Sequence, residues 1–518
     1  MCPPSLTAQP ATPRAAFISR PPCAITRRRP RGLEPHSSPS TGSAMSDDLF
    51  HLTASEASRL MLARKLSPVE LLDAFLDRID AVDTDVKSYL LVTADAARKQ
   101  AAKAEIDIGA GRWKGPLHGI PYAVKDNYFT RGVRTCAASK LMLDHVPDYD
   151  ASAIERLDGA GAVLLGKLNT WEYGTGTGAV HFDLPFEPAC NPWHLAHHTG
   201  GSSTGAGASV AAGTAMVAMG SDTGGSVRLP AAACGLQGLK PTYGRISRYG
   251  ILPNCYSLDT AGPLTWSVED NAIMMQVLAG YDVRDPASAD QPVPDYLASL
   301  HTGVRGLTIG IVRDMGADGE QLDAANRAGV EDVARVLAAE GARVIEIVLP
   351  ALPSSYRQVS SVINWTESLS IHEHDFMHRA HDMGLALRDK MMHGFMTRGV
   401  DYLAAIRRRR ELTLSTDALL RTVDALVMPC AFHTAPPFAD ADRVKAFTTD
   451  SACPVFNISG HPAMSIRTGF DAAGLPTNAQ IAGRWFDEAT VLRVAQAYER
   501  ATAWHLKRPQ LAAALQPA

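Results

Sequence analysis

No stretch of this chain approaches the ~18 consecutive apolar residues needed to cross a bilayer, so no membrane span and no membrane partner are expected. The eight cysteines (Cys2, Cys23, Cys136, Cys190, Cys234, Cys255, Cys430 and Cys453) are scattered and join neither a CxxC pair nor a Cys/His ligand set. They read as reduced thiols of a cytoplasmic protein, not as a disulfide frame or a zinc site, and no metal is expected. An excess of charge of one sign is missing too. With 50 basic and 54 acidic residues, the net charge of -4 argues against a general nucleic-acid binder. Internal repeats and linker-like segments are absent from residues 49–505. What is present is a globular composition, 46% hydrophobic and 20% charged over 518 residues.

Residues 1–44 stand apart. They are rich in Pro, Ser and Arg and carry Glu34 as their only acid. Such a segment cannot bury enough apolar surface to offset its ordering entropy. We expect it to be disordered, with Met45 as the working start and a transit-like role as the alternative. The arginines lack the apolar run of an export signal. Order is expected from Leu49. Thr53-Ala54-Ser55-Glu56 and Ser67-Pro68-Val69-Glu70 read as capping boxes that open helices, the second with proline at the first helical position. Leu72, Phe75, Leu76 and Ile79 share one face of that second helix. Residues 94–105 and 152–160 read as helices and 162–165 as a strand. Gly161 to Lys167 falls short of a phosphate-binding loop because Leu168 replaces the required hydroxyl.

The run from Ile120 to Val124 reads as a buried strand ending on Lys125. A lysine there is either a snorkelling surface residue or a desolvated base. Alone, the stretch favours the surface role, because lysine is rarely buried without a partner. Residues 307–312, 322–339 and 344–348 read as strand, helix and strand, a βαβ unit with a parallel pair. Residues 355–420 read as helical, with Arg407 to Arg410 as a solvated face. Strands are expected at 425–428, 463–466 and 479–482, and Asp487 caps a last amphipathic helix.

Two glycine- and serine-rich turns stand at the centre of the chain. Gly200-Gly201-Ser202-Ser203-Thr204-Gly205 and Gly220-Ser221-Asp222-Thr223-Gly224-Gly225-Ser226 flank a run of small residues, 206–219, that reads as one buried helix. Glycines let backbone N–H groups turn toward one point beside a hydroxyl nucleophile. Three chemistries compete. Gly201 to Gly205 satisfies G-x-S-x-G with Ser203 as nucleophile, but no strand pattern precedes it, and His197 and His198 come in the wrong chain order. A non-catalytic anion nest is the second. A serine amidase whose base is a lysine is the third, with Lys125 and Lys240 as candidates.

These motifs together resemble the amidase signature family. The resemblance rests on both turns, on Gly119 to Asp126, on Asn191-Pro192-Trp193, on Gly238 to Arg245 and on Gly474 to Arg484, and covers residues 49–505. It implies a single α/β domain with a mixed, largely parallel central β-sheet covered by helices on both faces, followed by a tail at 506–518. It implies an acylated nucleophile at Ser226, a bridging Ser202 after a cis peptide bond, and a neutral catalytic base at Lys125, which reverses the surface reading. It further implies an oxyanion hole from the N–H groups of Thr223, Gly224, Gly225 and Ser226, with Ser203, Asp222 and Arg228 in support and Lys240 outside the triad. Gly200, Gly201, Trp171, Tyr173, Trp365 and Phe376 are expected near the acyl pocket, as are Thr477-Asn478-Ala479 and the helices within 355–400. The implied activity is hydrolysis of a linear carboxamide, and of similar esters, without a cofactor. The expected partner is a small-molecule amide and no nucleic acid, with a homodimer allowed. The alternatives are a glutaminase-type subunit of a tRNA-dependent amidotransferase and an inactive ligand-binding relative.

Overall fold

The computed structural model describes residues 49–175 and 183–511. The expectation for residues 1–44 therefore lies outside the described residues. All elements below belong to the unit Met45–Ala518.

Both capping boxes form. Thr53 Oγ1 accepts from Glu56 N at 3.2 Å and Glu56 Oε2 accepts from Thr53 N at 2.9 Å. Ser67 and Glu70 do the same ahead of the helix Pro68–Val86. Eleven strands make one sheet: β1 (Tyr89–Val92), β2 (Pro121–Lys125), β3 (Val163–Leu168), β4 (Val217–Asp222), β5 (Gln237–Lys240), β6 (Thr260–Thr265), β7 (Thr308–Ile311), β8 (Arg343–Glu346), β9 (Ala425–Met428), β10 (Ala463–Phe470) and β11 (Pro476–Ala482). Their order is β1-β3-β2-β4-β6-β5-β10-β11-β9-β7-β8. The sheet is mixed, as expected, but it is not largely parallel: six of its ten ladders are antiparallel, because strands such as β10 and β11 join through a short turn and not through a crossover helix. Parallel pairing is confined to two blocks, β3-β2-β4 and β8-β7-β9, and every other ladder is antiparallel. The βαβ unit is β7, the helix Ala324–Ala339 and β8, with Ile309 paired to Val344.

One element differs from expectation. The small-residue run 206–219 is not one helix: the helix Thr204–Ala212 stops at Gly213, which caps it in the left-handed region at φ 73°, and β4 begins at Val217. The chain can reverse there because glycine carries no Cβ penalty. Val217 and Met219 then continue as strand because β2 and β6 pair with them on either side. The helix is buried along its whole length. Only small side chains allow that: a Cβ on Gly205 would stand 2.3 Å from Ser88 O, and one on Gly207 3.0 Å from Pro230.

The helices Pro353–Arg379, Leu385–Met396 and Gly399–Leu420 fill the region read as helical. Arg407, Arg408 and Arg410 are exposed, but Arg409 turns inward and donates to Ser257 O at 2.9 Å and Ile458 O at 3.2 Å. Among the described residues no helix is long and apolar enough to cross a membrane, and no group of three or more His, Cys, Asp or Glu could hold a metal ion.

Candidate functional site

Parallel neighbours β2 and β4 end side by side, which brings Lys125 to Ser221 at the carboxyl ends of the strands. Open α/β sheets place their ligand sites at such ends. Lys125 is 0% exposed. Its Nζ lies 2.7 Å from Ser202 Oγ and donates to Ser221 Oγ at 3.0 Å, and Ser221 also accepts from Asn127 Nδ2 at 3.1 Å. Burial lowers the Lys125 pKa from 10.5 to about 7, and the carboxylates of Asp259 and Asp222 only partly oppose it. An amine this far desolvated is largely uncharged just above neutrality.

Ser202 follows a cis peptide bond from Gly201. Its carbonyl accepts from Trp171 N and from Thr170 Oγ1, each at 3.1 Å, which pins the turn to the segment after β3. Trp171 also packs against Gly201, where a Cβ would stand 2.2 Å from the indole. Ser203 ties the two turns together: its N donates to Ser226 O, and its Oγ exchanges 3.3 Å hydrogen bonds with the backbone of Ser221. Gly174 lies over the lysine and serine, its Cβ position 3.4 Å from both Lys125 Nζ and Ser202 Oγ.

Ser226 is half-buried and faces the same cleft as Thr223, Gly224 and Gly201, a space of about 710 Å³. The N–H groups of Thr223, Gly224 and Ser226 have no acceptor among the described residues, and a Cβ added at Gly224 would meet nothing within 4 Å. Gly225 departs from the expected set of four donors. Its N–H is turned inward and donates to Asp222 Oδ1 at 2.8 Å. The reason lies in Asp222, whose two oxygens also hold Val227 N and the Arg228 side chain and so shape the turn from beneath. Burial works against the Asp222 carboxylate. Arg228 and Asn457 outweigh it and hold the carboxyl well below the usual range. Arg228 is itself sealed and saturated, donating to Asp222, Cys453 O, Gln480 Oε1 and Asn457 Oδ1.

The remaining candidates divide. Trp171 and Trp365 line the cleft, Trp365 stacked on His393 at 4.5 Å. Tyr173 and Phe376 instead pack in a satellite cluster around Met383, Leu387 and Met391, with Tyr173 edge-on to His372. Gly200 is buried against Leu229 O, not in the cleft wall. Thr477 and Asn478 lie inside β11, where Asn478 serves the core by accepting from Ala431 N. Lys240 shares a pKa of about 7, lowered by burial and then by the Arg228 charge, yet its only acceptor among the described residues is Pro241 O at 2.7 Å. His198 accepts from Gly200 N, and burial keeps it neutral with a pKa of about 4. Sequence reasoning missed Asn254 and Lys390, both on the cleft wall.

A family model described as Amidase matches residues 70–492. The chain belongs to the amidase signature family. A glutamyl-tRNA(Gln) amidotransferase subunit of Carboxydothermus hydrogenoformans is 38% identical, over 90% of this chain and all of that protein. Among solved structures, a protein of a vestigial complex bearing on the evolutionary origins of an s-triazine catabolic enzyme has TM-score 0.82 and 30% identity, covering 88% of this chain and 100% of that one. The peptide amidase of Stenotrophomonas maltophilia has TM-score 0.76 and 30% identity, covering 88% and 98%. This is a family of amide-hydrolysing enzymes. The relatives also correct an expectation. A small-molecule amide as the partner, with no nucleic acid, does not stand beside curated relatives named as part of an amidotransferase and named for a tRNA.

Proposed function

We propose that this chain is an amide-hydrolysing subunit of the amidotransferase type, with Ser226 as nucleophile, Ser202 as proton bridge and Lys125 as base. The observation that carries the reading is the 2.7 Å contact between a sealed Lys125, its pKa lowered to about 7, and Ser202 Oγ, beside a turn with three N–H groups that have no acceptor among the described residues. Lys125 keeps one N–H on Ser221 and takes the Ser202 proton on its lone pair. Ser202 takes the Ser226 proton as Ser226 Oγ attacks the carboxamide carbon. The charge that develops on the carbonyl oxygen is met by the N–H groups of Thr223, Gly224 and Ser226. The relay run backwards protonates the leaving nitrogen, which departs as ammonia. Water then enters by the same proton path and frees the acid. Ser203, Asp222 and Arg228 hold the two turns and take no proton.

The names of the curated relatives favour ammonia being handed to a partner protein for amidation of a tRNA-bound residue. A chain that hydrolyses amides without such a transfer is the second reading, favoured by the likeness to a peptide amidase. Two measurements test the proposal. Fluorophosphonate should label the wild-type protein and not Ser226→Ala, and labelling that survives in the variant would move the nucleophile elsewhere. Ammonia release from glutamine and from a simple primary amide, with and without co-purifying proteins, separates the two readings. Turnover of simple amides by the isolated chain at full rate supports the second.

A further inference from the structure

Three lysines besides Lys125 are sealed near the reaction centre, and the mechanism above uses none of them. Lys167 is held by Asp126 at 3.3 Å and donates to Tyr128 O and Thr135 Oγ1. Lys240 makes one hydrogen bond among the described residues, to its neighbour's carbonyl. Lys390 is different. It projects from the helix Leu385–Met396 to the cleft wall, 4% exposed, and donates to Asn254 Oδ1 and to Thr175 Oγ1. A cation on Oδ1 fixes which way the Asn254 amide points, because ammonium only donates. The Nδ2 end therefore faces the reaction centre, where it donates to Gly174 O at 3.1 Å and Thr223 Oγ1 at 3.3 Å. Those two residues both border the cleft: Gly174 covers Lys125 and Ser202, and Thr223 opens the donor turn. Thr223 Oγ1 in turn donates to Asp259 Oδ1 at 2.6 Å, and Asp259 Oδ2 holds the Asn254 backbone N–H at 2.8 Å.

We infer that Lys390, acting through Asn254, is a positioning residue that holds Gly174 and the Thr223 turn in register around the Lys125–Ser202 pair. The inference rests on the proposed acyl-enzyme reading and assigns a device within that site. It requires Lys390 to carry its charge, since a charge-assisted donor orients an amide more firmly than a neutral amine. The groups that face Lys390 are Asp259 and Cys255 from the loop beside Asn254 and His372 from the helix Pro353–Arg379. Burial lowers its pKa to about 8, with Cys255 and Asp259 opposing. The strut is thus charged at pH 7 and loses its charge as pH rises through about 8, while Lys125 becomes a better base over the lower part of that range.

The test is the rate of fluorophosphonate labelling of Ser226 and the kcat for a neutral primary amide, such as propionamide, across pH 6 to 10 in the full chain. Lys390→Met is expected to slow both by roughly 10- to 100-fold, less than deleting an oxyanion donor outright, with KM changed by less than about threefold. The wild-type rate should fall again above about pH 8. Lys390→Arg, which does not titrate in this range, should recover part of the rate and lose that upper fall. Asn254→Asp keeps the side-chain shape and the acceptor for Lys390 but removes the Nδ2 donors. It should slow labelling as much as Lys390→Met does, which keeps the test open if the methionine variant unfolds. Equal labelling rates in the wild type, Lys390→Met and Asn254→Asp overturn the inference. So does a defect confined to KM for a carboxylate-bearing amide such as glutamine, which would make Lys390 a reader of substrate charge. A wild-type protein that does not label at all refutes the acyl-enzyme reading itself and this inference with it.

Discussion

Replacing Lys125 with methionine should inactivate the protein and at neutral pH make its fold more stable. The side chain is fully buried and its pKa falls from 10.5 to about 7. An unfolded chain binds that proton up to pH 10.5, whereas the native chain releases it above about 7. Wild-type stability therefore rises with pH across this window and is lowest below it. At ~1.36 kcal/mol per pKa unit, the native state gives up about 4 kcal/mol at pH 7 to keep the amine in place, and almost nothing near pH 10.5. Methionine removes that cost at every pH and forfeits two hydrogen bonds, about 1 kcal/mol each. The variant should exceed the wild type by about 2 kcal/mol at pH 7 and fall to parity or below by pH 10. Urea unfolding followed by tryptophan fluorescence at the two pH values measures the difference. Because Lys240 and Lys390 are present in both proteins, their own titrations cancel. Labelling of Ser226 in the same samples should drop by about three orders of magnitude or more. A variant that is destabilised equally at pH 7 and pH 10 would refute the premise that Lys125 sits uncharged in the native site.

Lys240→Met should keep amide turnover within about threefold of wild type, although Lys240 shares the lowered pKa of Lys125, because none of its contacts reaches Ser202 or Ser226. Arg228→Met leaves Asp222 buried without its counter-ion and should cost about 3–5 kcal/mol of stability, read as a lower urea midpoint. The same variant should also slow labelling of Ser226, since Asp222 shapes the turn through Gly225 N and Val227 N.

Much of the site could be read from residue order, because its parts stand at ends of elements that local pattern reveals. The strand ending on Lys125 has its expected end, and the glycines of the two turns, Gly224 excepted, stand where Cβ atoms would collide, as at Gly201 and Gly220. Less legible was the stretch between the turns. Ala, Gly, Ser, Val and Met suit a buried helix and a buried strand alike, so period alone could not find the break at Gly213. The aromatic candidates show the same limit. Trp171 and Tyr173 are two residues apart, yet one lines the cleft and the other packs against His372, a division set by the helix Pro353–Arg379 folding over them. Asn254 and Lys390 lie in segments with no motif of their own. Nothing local marks them, since their meeting depends on how a distant helix closes the cleft.

The buried lysines make the physical point sharper. Lys125, Lys240 and Lys390 are all sealed, and burial lowers each of them, to about 7, 7 and 8. A lowered pKa alone therefore does not select the base. Selection comes from what each amine can reach. Lys125 meets a serine hydroxyl that can give up a proton, Lys390 meets an amide oxygen and a threonine whose hydroxyl proton is already given to that oxygen at 3.0 Å, and Lys240 meets a carbonyl with no proton to give. The acceptors explain why one sealed amine can work as a base while its neighbours hold structure. In the turn before Ser226, the Gly225 N–H turned inward to Asp222 fixes the direction of those left facing the cleft. In such a site catalytic power depends on which protons have somewhere to go, and the hydrogen-bond partners of three chemically identical side chains decide it.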